Sequence, residues 1–260
     1  MKPNSNISLP VSGLSLLLGL AAWQVLATHL SSLLFPSPRQ VATELYVILR
    51  QGQFLVHAAH TFIRIVLGFG SALLISVVLG LSMARNGVAE ALLKPYVVIG
   101  LSIPSLAWAV IAVIWLGISD LAPIFTIVVV LTPIITSNVW EGAKAVDCGL
   151  LEMAAVYRAP PLLTVREIIL PQLVPYLVSA ARYGFSLAWK VVVIAEMLGV
   201  NNGVGFAINY AFNQFSMRGV LAWTAAFTAL MAVIEYLIGL GENWLLRWRP
   251  GSRWSEAQQW

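Results

Sequence analysis

The chain has 260 residues, of which 59% are hydrophobic and only 10% charged, with a formal net charge of +4 and a mean hydropathy of +0.85. Soluble domains carry about a quarter charged residues, so a single aqueous core cannot hide this much apolar surface. That excludes disorder, a disulfide scaffold and an ordinary soluble enzyme, and leaves a multi-span membrane protein. The fifteen Lys and Arg are scattered without a basic run, so they suit the flanks of membrane spans rather than nucleic-acid binding.

A helix needs about 20 mostly apolar residues to cross a bilayer, and its backbone polar groups must be satisfied internally. The apolar runs are long and lack the two-residue alternation of a barrel strand. They predict an all-α polytopic protein in one domain over 1–260, with spans at 12–34, 60–84, 91–116, 121–140, 173–199 and 220–246. The first run, behind Lys2, continues from Leu14 to Phe35 and is too long for the apolar core of a signal peptide, so it reads as a retained span. Residues 36–51 place Val41, Leu45 and Ile48 at helical spacing, which predicts a short amphipathic helix on the outer surface. Pro104 is expected to bend the third span. Broken backbone at membrane depth must be covered by protein or face a water-filled cavity, so Ser105 and the rest of 103–108 are pathway candidates. The third and fourth spans are joined only by Gly117–Leu121, a tight hairpin.

Between the fourth and fifth spans, residues 141–171 are far more than a turn requires. Charged side chains such as Glu141, Lys144, Asp147, Glu152, Arg158 and Arg166 alternate with Leu150, Leu151, Tyr157, Leu162 and Leu163. Arg158-Ala159-Pro160-Pro161 interrupts the pattern. The reading is helix, break, helix, then Leu170-Pro171 and Pro175 leading back into lipid. Such a hairpin buries little alone; it either docks in a partner's groove or lies on the membrane surface. Trp244, Trp248 and Trp254 read as interfacial anchors, and 247–260 as a cytoplasmic tail. Lys and Arg in the connections divide nine against three, which favours both termini inside.

Several segments resemble ABC importer permeases. Leu151-Glu152-Met153-Ala154-Ala155 through Ile168-Ile169-Leu170-Pro171 is similar to the family's cytoplasmic signature, E-A-A, a Gly six residues after the Glu, then I-x-L-P. Met153 stands for the first Ala and Arg158 for the Gly, whose turn Pro160-Pro161 could supply instead. Phe35-Pro36-Ser37-Pro38, Ile103-Pro104-Ser105-Leu106-Ala107-Trp108, Arg182, Ala195-Glu196-Met197-Leu198-Gly199 and Gly203-Val204-Gly205 resemble the nitrate/sulfonate/taurine branch. The resemblance implies the type I importer permease fold: six transmembrane helices with a cytoplasmic coupling-helix hairpin. It also implies solute import across the bacterial inner membrane. The partners would be a second permease copy, two cytoplasmic ATP-binding subunits and an external solute-binding protein, with lipid around them. By this resemblance Glu152, Met153, Ala154, Ala155, Arg158, Ile168, Leu170 and Pro171 form the ATPase-docking surface. Pro104, Ser105, Trp108, Arg182, Lys190, Glu196 and Glu235 are the candidates for solute pathway or gate.

Ionisable residues inside membrane spans are costly and mark function. Lys190 and Glu235 fall near mid-depth; they either pair with each other or leave Lys190 facing the pathway to attract an anion. Glu196, nearer the outer end, either closes a gate or reaches interfacial water. Arg182 lies fourteen residues away from Glu196, about 21 Å along the helix, so the two cannot bond within one copy. Arg64, Arg182 and Lys190 fall within or at the ends of spans and take no part in the orientation count. His57 and His60 share a face without an evident third ligand and read as an interfacial pair, so no metal is expected. Cys148 reads as an ordinary helix residue, and Trp108, Trp115 and Trp189 as packing or solute-stacking residues.

No G-x-x-x-x-G-K-[ST] is present, and Gly199-Val200-Asn201-Asn202-Gly203-Val204-Gly205 follows a span rather than a strand. ATP chemistry therefore belongs to a partner, and the chain needs no cofactor. The alternative is a gradient-driven carrier with Glu235, Glu196 and Lys190 as a proton relay, but the internal repeats common in such carriers are not evident.

Overall fold

The computed structural model describes residues 5–29 and 35–245, and every regular element among them is helical. The expected anchors Trp248 and Trp254, and the tail at 247–260, lie outside the described residues.

Helix α1 (Ser5–His29) is tied to the next element by the Trp23 indole N–H, which donates to the Pro36 carbonyl at 3.0 Å. Helix α2 (Pro38–Arg50) starts in a capping box: Ser37 N–H donates to Gln40 Oε1 at 2.9 Å, and Pro38 sits in the first turn where no N–H is missed. Its Val41 and Ile48 are buried, so the predicted amphipathic face is the packed one. Gly52, at φ +71°, turns the chain at once into α3 (Gln53–Arg85). That glycine is why α3 begins two turns earlier than the apolar run at 60–84 predicts.

Helices α4 (Gly87–Ser102) and α5 (Ser105–Leu116) fill the predicted third span, and the bend expected at Pro104 is a full break between them. They are separate helices meeting at 98°. Pro104 supplies no N–H and forces Ile103 into extended backbone (φ −82°, ψ 126°). Ala107 and Trp108 then start the new helix by donating to the Pro104 carbonyl at 3.0 and 3.4 Å. At 12 residues, α5 is about 18 Å long and cannot cross a bilayer alone. Together the bent pair has the length and apolar character of one broken span or of a re-entrant loop.

Helix α6 (Leu121–Lys144) packs between α3 and α9 (Leu170–Gly199), and this trio is the centre of the molecule. Small residues let the axes approach: a Cβ on Gly68 or Gly80 would lie 2.8 Å from Ile127 or Val139, and one on Gly184 2.8 Å from Ile135. Membrane helices associate through such close backbone packing, since lipid gives no hydrophobic drive between them. The outer faces carry exposed Leu55, Leu74 and Ile114, as a lipid-facing surface does.

Helix α7 (Cys148–Val156) and the short α8 (Pro161–Thr164) form the predicted hairpin. The re-entry differs from expectation. A π turn at Val165–Ile169 joins α8 to α9, so one apolar helix runs from Pro161 to Gly199 instead of breaking at Leu170-Pro171. The wider turn, with Leu170 N–H donating to the Val165 carbonyl, makes room for Pro171, which has no N–H and would crowd the preceding turn. Helix α10 (Val204–Asn213), absent from the sequence reading, precedes α11 (Met217–Leu245).

By length and composition, α3, α6, the α8–α9 run and α11 can each cross a membrane, and the bent α4–α5 pair makes a fifth if its two helices form one span. The described apolar part of α1, Leu17–His29, is shorter.

Candidate functional site

Two ends of the helix bundle are built in opposite ways. Where α3 and α6 begin and α9 ends, Arg64 lies 2% exposed inside the protein. Its guanidinium donates to Asp120 in the α5–α6 hairpin, to Glu196 on α9, and to both the backbone and side-chain oxygens of Asn202. The contact from Nη1 to Glu196 Oε1 is 2.5 Å, and that from Nε to Asp120 Oδ1 is 3.1 Å. Glu196 is fully buried; its Oε2 accepts from Thr61 Oγ1 and from Gly205 N–H, each at 2.9 Å. Thr61 in turn accepts Val204 N–H at 2.9 Å, and His57 Nδ1 accepts Gly203 N–H at 3.0 Å.

A buried ion pair is worth keeping only when its remaining hydrogen-bonding capacity is filled. Here it is filled by the chain turn at 200–205. Gly203 at φ +101° is required: a Cβ there would come within 2.5 Å of Glu196 Oε1 and 2.6 Å of Arg64 Nη1. The cluster therefore clamps α3, the α5–α6 hairpin, the end of α9 and the start of α10 into one rigid unit.

Two readings of the sequence change here. Arg64, left out of the site, is the hub. Glu196 is no solvated interfacial acid within this chain but the hub's buried counter-ion. The signal was available: Arg64, Asp120 and Glu196 all fall at the same end of their predicted spans, where an ionisable residue needs a partner. His57 belongs to the same cluster rather than forming only an interfacial pair with His60.

The pair expected between Lys190 and Glu235 is not made. Glu235 Oε1 accepts the Trp189 indole N–H at 2.9 Å, and Lys190 is exposed, its ammonium 5.4 Å from the Trp189 ring centre. The α9 positions between them explain this: residue 189 faces α11, and residue 190 points about 100° away, off the packed face. Trp189 also packs edge-on to Phe227, so its role is structural with one polar handle. Because Glu196 and Glu235 are each held by other donors, no Lys190–Glu235–Glu196 relay is assembled.

Trp108 lines a cavity of about 440 Å³ at the α4–α5 bend, together with Ile103, Gly100 and Thr136. Pro104 is exposed and Ser105 half-buried beside it. Arg182 lines a different cavity of about 260 Å³ with Phe69, Phe185 and Ile238. Trp115 packs edge-on to Phe125.

The opposite end carries the hairpin. Asp147 caps α7 by accepting Gly149 N–H at 2.7 Å, and its own N–H donates to Gln172 Oε1 at 2.9 Å. Apart from that bond and buried Ala154, α7 stands off the bundle. Val156, Tyr157 and Leu162 are each 79% exposed, and Glu152, Met153, Ala155, Leu170 and Pro171 are exposed with them; Ile168 is half-buried.

Its turn corrects the expectation that Pro160-Pro161 replaces the usual glycine. Arg158 itself takes the left-handed conformation, φ +53°. Its N–H donates to Ala155 O at 3.0 Å, and Ala159 N–H to Ala154 O at 2.9 Å, closing a Schellman motif at the end of α7. The prolines only start the next helix.

The chain is similar to known transport proteins. The family model described as "Binding-protein-dependent transport system inner membrane component" matches residues 55–247. The chain is 27% identical over 248 residues to the taurine transport system permease protein TauC of Escherichia coli strain K12, covering 93% of this chain and 88% of TauC. It is 28% identical over 204 residues to the nitrate import permease protein NrtB of Synechocystis sp., covering 75% and 74%. In fold it matches an amino acid ABC transporter crystallised with histidines (TM-score 0.64, 16% identity, 76% of this chain and 97% of that one). It also matches the inward-facing MetNI methionine ABC transporter (TM-score 0.57, 23% identity, 78% and 95%). The chain thus belongs to the binding-protein-dependent transport system inner membrane components: it is a multi-pass permease of the nitrate/sulfonate/taurine branch of ATP-driven importers, and ATP hydrolysis resides in a separate subunit.

Proposed function

We propose that this permease conducts a small anionic solute of the sulfonate or nitrate kind, and that Lys190 on α9 meets it. The observation that carries this reading is Lys190 itself. It lies about 14 Å of helix before the end of a membrane span, is exposed on the single chain, and makes no ion pair among the described residues. An ammonium in contact with acyl chains is expensive. A second copy packed against this face of α9 would enclose Lys190 in a polar conduit and remove that cost. Two of its relatives are named for taurine and nitrate, each of which presents a negatively charged oxygen group, and that fits a cation on the conduit wall.

In this reading both termini and residues 145–171 lie in the cytosol, and the Arg64 cluster lies at the outer end. The α7–α8 hairpin, with Glu152 and the exposed apolar side chains around it, seats on the ATPase. Because Pro161–Gly199 is one 39-residue helical run, roughly 58 Å long with a π turn near its start, displacement of the hairpin is carried along it toward the Glu196 clamp. The α4–α5 bend, with Pro104, Ser105 and Trp108, is the second moving wall, and Arg182 and Glu235 support α9 against α3 and α11.

The test is uptake of labelled ethanesulfonate and nitrate by the complex reconstituted with its ATPase and binding protein. Lys190→Ala is expected to lower anion uptake at least tenfold while ATPase co-purification is unchanged, and Lys190→Arg to retain most of it. Equal uptake by Lys190→Ala would remove Lys190 from the solute path.

A further inference from the structure

A cavity of about 600 Å³ opens beside the Arg64 cluster, between α2, the first turns of α3, α10 and the start of α11. Glu44 is the one charged side chain on its wall; no Lys or Arg lines it. The same wall carries a chain of ring contacts. The His57 ring stacks on Phe206 at 6.2 Å and meets Trp223 edge-on at 5.3 Å, and Phe206 continues to Tyr210 at 6.2 Å. Because His57 Nδ1 accepts the Gly203 N–H, the ring is the neutral tautomer and adds no positive charge. The Gln214 amide supplies further polar contacts.

A carboxylate sharing a wall with aromatic rings, with no Lys or Arg lining it, favours a cation: it repels anions, and ring faces attract ammonium or guanidinium groups. The transported anion therefore does not belong here. The rim adds a second sign of contact with protein. Phe215, between the wall residues Gln214 and Ser216, is held at φ +56° with its side chain 85% exposed. An exposed aromatic knob beside a charge-selective pocket is the make-up of a protein–protein hot spot.

We propose that this cavity receives a basic side chain, Lys or Arg, of the external binding protein, with Phe215 packing against the same partner. The inference rests on the orientation argued above, which puts α10 outside. The family requires a binding protein, and this is the charge-selective cavity at the end opposite the hairpin. Through His57 and Gly203, an occupant would bear directly on the turn gripped by Arg64 and Glu196.

The test uses the reconstituted complex and titrates the solute-loaded binding protein against ATP hydrolysis. Glu44→Lys is expected to raise the half-maximal binding-protein concentration at least tenfold while the rate at saturation is kept; Glu44→Gln should give a smaller rise. Reversing one basic residue of the binding protein to Glu should restore Glu44→Lys. An unchanged half-maximal concentration in both variants, or a loss of maximal rate alone, overturns the proposal. So does a wild-type response that depends on phosphatidylethanolamine in the vesicles while the Glu44 variants bind normally, which would give the cavity to a lipid ammonium. Orientation is checked separately with Gln214→Cys in a Cys148→Ser background. Labelling by an impermeant maleimide from outside only, blocked by the binding protein, is expected; labelling from the cytosolic side only would sink the orientation, and this proposal with it.

Discussion

The Arg64 end and the hairpin end have inverted chemistry. At the first, Arg64 and Glu196 are buried and find partners across α3, α9 and two turns, with exposed Asp120 as a second acid for Arg64. At the second, apolar side chains are exposed, and one backbone bond to Gln172 fastens α7 to the bundle. Buried, fully bonded ions resist displacement, because moving one strands another in low dielectric. An exposed amphipathic hairpin resists nothing by itself and gains its stability from a partner. The difference supports the proposed division of labour, in which a partner grips the hairpin and the clamp holds the far end of the same helix.

Removing the hub's cation breaks this contrast most severely. Arg64→Met strands Glu196 without its counter-ion and should cost about 3–5 kcal/mol, read as a lower thermal unfolding midpoint of the purified subunit. The pair Arg64→Met with Glu196→Leu should recover much of that, since neither charge is then left alone. A single variant as stable as wild type would mean the clamp is no more rigid than the hairpin. At the other end, Glu152→Arg should leave the midpoint unchanged and weaken ATPase co-purification about tenfold, or about 1.4 kcal/mol; undiminished co-purification would remove the hairpin's docking role. The smallest effect is expected at Arg158. A non-glycine residue in the left-handed region carries a penalty of about 1 kcal/mol. Arg158→Gly should therefore slow hydrogen exchange at the amides of 158 and 159, which close the motif. Faster exchange there would show that the Arg158 side chain holds the turn.

What was legible was local. Continuous apolar runs identified the spans, Ser37-Pro38 opened α2, and Pro104 marked the break, because proline's effect on its own backbone needs no distant partner. The 98° angle was not legible, since it depends on how α4 and α5 each pack on α6. Nor was the turn at Arg158. Glycine is the expected left-handed residue, and only the hydrogen bonds to Ala154 and Ala155 show an arginine in its place. Lys190 and Glu235 looked like a pair because charges at one depth attract, but the rotation of α9 gave Glu235 to Trp189 instead.

The sequence by itself determined a polytopic helical permease with an amphipathic hairpin before its fifth predicted span, because hydropathy, prolines and the E-x-A-A run act over one or two turns of chain. The tertiary structure alone decided which charges are partners. Arg64 meets Asp120, Glu196 and Asn202 across separations of 56 to 138 residues. Coulomb attraction depends on distance in space, and only the packing of α3, α6 and α9 brings those groups together.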